Sequence, residues 1–227
     1  METIRRNITT SFYLVKCNPD VIQIDATYKT NAFHMPLVHI VGITGMGKTY
    51  DVAYAFIPNE LRETYAEVVQ MLYDLFEKLD VVPKAFITDH DRSLKAGLKA
   101  IFPDVPQRRC IWHIMQNVQT EAVKAWNVRN GNTDQEKSDI EKARTEFTQT
   151  WQSLVSCTTE EAFWALKDVI WASYAEYPDL LQYLDAHQLP CYAEWAECIC
   201  KYIPDFGQRA TSRVEGAHQT LKLALTS

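Results

Sequence analysis

Apolar and polar positions alternate with period two in VIQIDATY (21–28), and this predicts a half-buried strand. LVHIVGIT (37–44) follows a proline and YDVAYAFIP (50–58) follows a glycine-containing turn, giving two further strands with short connections. The period then changes. Apolar residues at 61, 65, 68, 69, 72, 75, 76 and 79 recur every three or four positions, which predicts an amphipathic helix that stops near Pro83. AFITD (85–89) reads as a fourth strand, SLKAGLKAIF (93–102) as a second helix, and QRRCIWHI (107–114) as a fifth strand or a strand-to-helix junction. From 115 to 206 strand signals vanish, and polar runs such as TDQEKSDIEKARTEF alternate with aromatic helices. A last helix is predicted from near Ser212, with Val214, Ala217, Leu221 and Leu225 on one face.

Three strands, a helix, a strand, a helix and a final strand make an α/β mixed sheet whose first and fourth strands lie side by side and parallel. That order is the ribonuclease H-like one. The expected organisation is therefore a ribonuclease H-like core begun by residues 1–114, a large all-helical insertion over 115–206, and a helix over 207–227 that completes the core.

Composition narrows the function classes. With 227 residues and 47% hydrophobic content, the chain buries a core of ordinary size. No apolar run reaches membrane-spanning length and the first twenty residues lack a secretory pattern, so an intracellular protein without a membrane partner is expected. Six irregularly spaced cysteines suit reduced thiols better than a disulfide framework. A net charge of −6 opposes generic coating of nucleic acid, so any phosphate binding must be local.

Asp25 and Asp89 are the candidate chemistry of the predicted sheet. Both stand at the ends of strands expected to be neighbours, roughly 4.8 Å apart, where two carboxylates can share a hard cation such as Mg²⁺. Glu215 on the last helix is a third carboxylate, with Arg209, Arg213 and Lys222 as positive charge for a DNA backbone. A pair of divalent ions, Mg²⁺ or Mn²⁺, held by such acids activates a water or a 3′-hydroxyl and stabilises the leaving oxygen of a phosphodiester. Taken singly, Asp89 equally suits an N-cap of the following helix, and Glu215 an ordinary solvated helix position.

The segments DATYKTNAFHMPLVHIVGITGMGKTYDVAYAFI (25–57), FITDHDRSLKAGLKAIFPDVPQRRCIWHIMQNV (86–118) and TSRVEGAHQTLK (211–222) together resemble the transposase domain of Mutator-like elements, within the DDE superfamily. The resemblance implies Asp25, Asp89 and Glu215 as catalytic metal ligands, and Cys110 and His113 as a supporting CxxH pair near the active site. It also implies DNA strand cleavage and strand transfer at transposon ends, with terminal inverted repeats and target DNA as partners, a homo-oligomer on paired ends, and action in the nucleus. The alternative within the same fold is a domesticated transposase acting as a DNA-binding regulator without catalysis.

Other features compete. Gly42 to Thr49 (GITGMGKT) satisfies the phosphate-binding P-loop pattern, which makes a nucleotide-binding protein the remote alternative. A P-loop needs a helix after it, whereas YDVAYAFIP reads as a strand, so Gly45-Met46-Gly47 is expected to form a hairpin turn. Cys110 and His113 are half a zinc site by spacing, with His187, Cys191, Cys198 and Cys200 as conceivable partners, though buried structure is the commoner use. Trp126, Trp151, Trp164, Trp171 and Trp195 all fall in the predicted insertion, where core packing outweighs a base-stacking role. The run from Asp134 to Arg144 reads as a solvated helix face.

Overall fold

The computed structural model describes residues 12–27, 33–127 and 133–206. They divide into two compact units. The first comprises the described residues up to Cys110 together with those from Ile203 onward, and the second is Ile111–Tyr202.

The first unit is built on a five-stranded mixed sheet: β1 (Val21–Thr27), β2 (Leu37–Ile43), β3 (Thr49–Phe56), β4 (Ala85–Thr88) and β5 (Gln107–Arg109). Their spatial order is β3-β2-β1-β4-β5. The first three strands form an antiparallel meander, while β4 pairs parallel to β1 and β5 parallel to β4. The parallel neighbours expected from the sequence are therefore present. Helices α1 (Arg62–Leu79) and α2 (Arg92–Ile101) connect the parallel strands, as such pairings require.

Side-chain alternation gives the sheet two faces. Ile22, Ile24, Val38, Ile40, Val52 and Phe86 share one core with Tyr65, Val69, Leu72 and Phe76 of α1 and with Leu94 and Leu98 of α2. The opposite face is also buried at its centre, yet it carries Gln23, Asp25, Thr27, His39 and Arg108 beside Val21, Val41 and Ile87. Burying such polar groups is costly unless each is hydrogen-bonded or paired. Arg108 illustrates the compensation: its Nη1 lies 2.8 Å from Asp205 Oδ2 and donates to the Ile203 carbonyl at 3.2 Å.

The P-loop-like segment forms a hairpin. Thr44 N–H donates to the Lys48 carbonyl and Gly47 N–H to the Thr44 carbonyl, Gly47 takes φ 70°, and β3 begins at Thr49. No helix N-terminus comes directly after it to receive a phosphate. Gly42 is required for another reason: a Cβ there would sit 2.0 Å from Cζ of Tyr50, whose hydroxyl donates to the Asn18 carbonyl at 2.6 Å.

Among its described residues the second unit is built of helices joined by short turns, with no strand. Helices α3 (Ile111–Asn127), α4 (Asp134–Val155), α5 (Glu160–Ser173) and α6 (Pro178–Tyr183) are followed by a π-turn (Leu184–Gln188), a 3₁₀ segment (Leu189–Glu194) and α7 (Glu197–Cys200). Thr133 and Glu136 form a reciprocal capping box that starts α4 in a run otherwise too polar to be fixed by burial. Trp126, Trp151 and Trp195 are fully buried with Phe147 and Phe163. Trp126 stacks on Tyr177 at 4.1 Å, and Trp195 Nε1 donates to the Gln188 carbonyl. Trp164, 40% exposed, packs edge-on against Phe163 and Tyr192. Core packing thus accounts for the tryptophan enrichment. The strand-or-junction expected over 107–114 resolves into three strand residues and the first turn of α3.

Candidate active site at the ends of the central strands

The parallel neighbours β1 and β4 bring the two aspartates to one end of the sheet: Asp89 directly follows Thr88, the last residue of β4, whereas Asp25, expected to close its strand, lies inside β1, which runs on through Ala26 and Thr27. The register of the two strands pairs Ile22 with Phe86 and Ile24 with Thr88. Asp25 and Asp89 directly follow the second pair, where neighbouring backbones lie roughly 4.8 Å apart. The carboxyl ends of parallel strands are where open α/β sheets bind ligands.

Asp25 is 8% exposed, on the polar face between Gln23 and Thr27. Asp89 is half-buried in the turn beyond β4. Its Oδ1 accepts from the Asp91 amide at 3.0 Å, and its carbonyl accepts from the Thr88 hydroxyl at 2.9 Å. The cap of α2 is Asp91, whose Oδ1 accepts from Leu94 N–H at 2.7 Å. The N-cap reading of Asp89 is therefore replaced: the cap falls two residues later, and Asp89 stays at the strand end.

The same level can be followed across the sheet. Thr88 pairs with Arg109 and accepts from the Cys110 amide at 2.7 Å, so the next step along β5 sets Cys110 beside Asp89. On the other side Asp25 pairs with His39, and His39 pairs with Tyr54. Asp25, His39 and Tyr54 thus form one row over β1, β2 and β3, with Asp89 and Cys110 directly following the last residues of β4 and β5, and Cys110 is 2% exposed. His113 lies in the first turn of α3, in the second unit, with its ring edge-on to Trp112 at 4.8 Å. Glu215, Arg209, Arg213 and Lys222 lie outside the described residues.

Sequence reasoning missed His39, Asp51, Tyr54 and Tyr65 in this neighbourhood. His39 is fully buried, its Nε2 is 2.8 Å from Asp51 Oδ1, and its ring stacks on Tyr54 at 4.4 Å and 13°. The hydrogen bond from His39 holds the Asp51 carboxyl below its usual range against the opposing effect of burial, with the Tyr54 hydroxyl assisting. Burial, then the bond to Asp51, pushes the Tyr54 phenol up. Tyr65 of α1 is raised by burial and then by the carboxylates of Asp91, Glu60 and Asp89, which marks an acidic surrounding at this end of the sheet. The available signal was His39 itself, since the rest of β2 is apolar or glycine.

Asp25 and Asp89 each offer carboxylate oxygens, the donors that hard divalent cations require. The donor set fits Mg²⁺ or Mn²⁺ and does not fit a thiolate-selecting metal.

Residues 21–117 match the family model described as the MULE transposase domain, a span that contains Asp25, Asp89, Cys110 and His113. Among curated relatives, a segment of the PKS-NRPS hybrid synthetase cheA of Chaetomium globosum is 26% identical over 215 residues, 89% of this chain and 4% of that protein. The Arabidopsis thaliana protein FAR1-RELATED SEQUENCE 6 is 30% identical over 110 residues, 48% of this chain and 15% of that protein. The transposase for insertion sequence element IS1201 of Lactobacillus helveticus is 28% identical over 102 residues, 43% of this chain and 27% of that protein. The chain thus spans from 4% to 27% of the length of these relatives.

Proposed function

We propose that this chain, whose residues 21–117 match the MULE transposase domain, catalyses metal-dependent DNA strand cleavage and strand transfer at transposon ends. The single observation supporting this reading is the parallel register of β1 and β4, which pairs Ile24 with Thr88, the residues directly before Asp25 and Asp89. In this proposal the sheet is a ribonuclease H-like core, and Glu215 joins the two aspartates as the third ligand of two divalent ions.

Mg²⁺ or Mn²⁺, when bound, supplies Lewis-acid activation of the attacking oxygen and charge stabilisation at the leaving oxygen. The chain's own residues do the positioning. Asp25 presents its carboxylate from a strand fixed on both sides, by β2 and by β4. Asp89 is oriented through the Asp91 amide, which occupies one of its oxygens. Cys110 directly follows β5, beside Asp89, and Arg209, Arg213 and Lys222 bind the DNA backbone. The partners proposed are terminal inverted repeats and target DNA, held by a homo-oligomer in the nucleus. Among the described residues no helix is long and apolar enough to cross a membrane.

The test is nicking and joining of a plasmid carrying the element's terminal repeats, with Mg²⁺, by the wild-type protein and by Asp25→Asn and Asp89→Asn. Loss of a ligand that serves several kcal/mol of transition-state stabilisation is expected to lower the rate by about 10³-fold. Sequence-specific DNA binding without any Mg²⁺-dependent nicking by the wild type would instead support the regulator without catalysis.

A further inference from the structure

Resting on the reading of Asp25 as a cation ligand, we infer that His39, fixed by Asp51 and Tyr54, is the positioning residue of Asp25. The antiparallel register sets Asp25 and His39 directly opposite each other. Directly opposed residues leave the same face with Cβ atoms about 4.5–5.5 Å apart. Asp25 is therefore opposed by His39 on β2's side, and Ile24 before it pairs with Thr88, the residue before Asp89, on β4's side.

The strand sequence makes His39 conspicuous. Its companions in β2 are Leu37, Val38, Ile40, Val41, Gly42 and Ile43, all buried. An apolar residue would serve a purely structural position there, because a buried imidazole carries a desolvation cost that hydrogen bonding must offset. For Nε2 the compensation comes from β3. Nε2 of His39 meets Asp51 Oδ1 at 2.8 Å while the ring lies flat against Tyr54.

Asp51 and Tyr54 are three positions apart, so in a regular strand they would point to opposite faces. They share the face of His39 because the register shifts between Ile40 and Val41: Ile40 pairs with Ala53 and Val41 with Asp51, leaving Val52 as the extra residue. A β-bulge of this kind re-aims side chains, and such features gather next to active sites. The bulge, the hydrogen bond to Asp51 and the stacked ring together hold the imidazole of His39 on the strand position opposite Asp25. Groups that orient a ligating carboxylate from behind typically govern 10- to 100-fold of metal affinity.

The experiment titrates Mn²⁺ into the full chain by electron paramagnetic resonance, with thermal unfolding of each variant as a check on folding. Asp51→Asn, on the exposed edge strand, and His39→Leu are each expected to weaken Mn²⁺ binding about 10-fold while still unfolding cooperatively, with only a modest shift of the midpoint in Asp51→Asn. His39→Gln, whose amide nitrogen can replace Nε2 as donor to Asp51, is expected to recover part of that loss. A packing role alone predicts no such recovery. Wild-type affinity in Asp51→Asn and His39→Leu alongside loss in Asp25→Asn overturns the inference and leaves the ligand reading standing. Unchanged affinity in Asp25→Asn, or no Mn²⁺ binding by the wild type, overturns both. Should His39→Leu fail to fold, Asp51→Asn carries the decision.

Discussion

Single side chains at this sheet edge separate into those that hold the fold and those placed to do chemistry. Gly42 belongs to the first kind, since the Tyr50 ring occupies the space of its missing Cβ and the bond to Asn18 keeps the ring there. Gly42→Ala is expected to destabilise the protein by about 3 kcal/mol through overpacking, seen as a lower urea midpoint at unchanged slope. Tyr50→Ala made in that background should recover part of the loss, a non-additivity that a double-mutant cycle reads directly. Asp91 and Asp89 differ in the same way. Asp91→Ala removes the cap of α2 and is expected to cost about 1 kcal/mol, whereas Asp89→Asn keeps an oxygen acceptor for the Asp91 amide and should change stability by less than about 0.5 kcal/mol.

At the scale of elements, strand β3 does more than close the meander. Its bulge assembles Asp51 and Tyr54 around His39, and the pair links β2 to β3 across the sheet. Because the folded Asp51 carboxyl titrates below its unfolded value of about 3.9, its contribution to stability is present above that pH and is lost as pH falls through the lower folded value. Urea midpoints followed from about pH 5 down to about pH 2 should therefore fall less steeply in Asp51→Asn than in the wild type. The Asp51 side chain is 58% exposed, so solvent screening keeps the effect modest. The P-loop-like hairpin between β2 and β3 is also decided by its element context, since a strand after Thr49 leaves no helix dipole for a phosphate.

For the whole molecule, two units with separate cores imply separable behaviour. All the buried residues of the helical core lie within Ile111–Tyr202, so a fragment of residues 111–202 is expected to fold cooperatively with a helical circular dichroism spectrum. Trp151→Ala in that fragment should cost about 3–5 kcal/mol. The sheet unit answers to alkali. Tyr50, Tyr54 and Tyr65 titrate above their ordinary value, so their contribution is present below about pH 10 and is lost as pH rises through the folded values. Phenolate absorbance should accordingly lag behind that of free tyrosine until the unit unfolds.

The order of strands and helices was legible in the chain because periods of two and of 3.6 are local properties of side-chain direction, and the hairpin at Gly45-Met46-Gly47 was legible because the residues after Thr49 alternate. The two aspartates could be singled out for the same reason, Asp25 standing within the run 21–28 and Asp89 ending the run 85–89. Tertiary structure alone decided the groups that stand beside them. Register between strands set Asp25 opposite His39 and paired Ile24 with Thr88, which precedes Asp89, and a one-residue bulge turned Asp51 and Tyr54 to the same face. Pairing depends on contacts between segments remote in sequence, and a shift of one residue moves every side chain to the other face, so no local pattern carries that information.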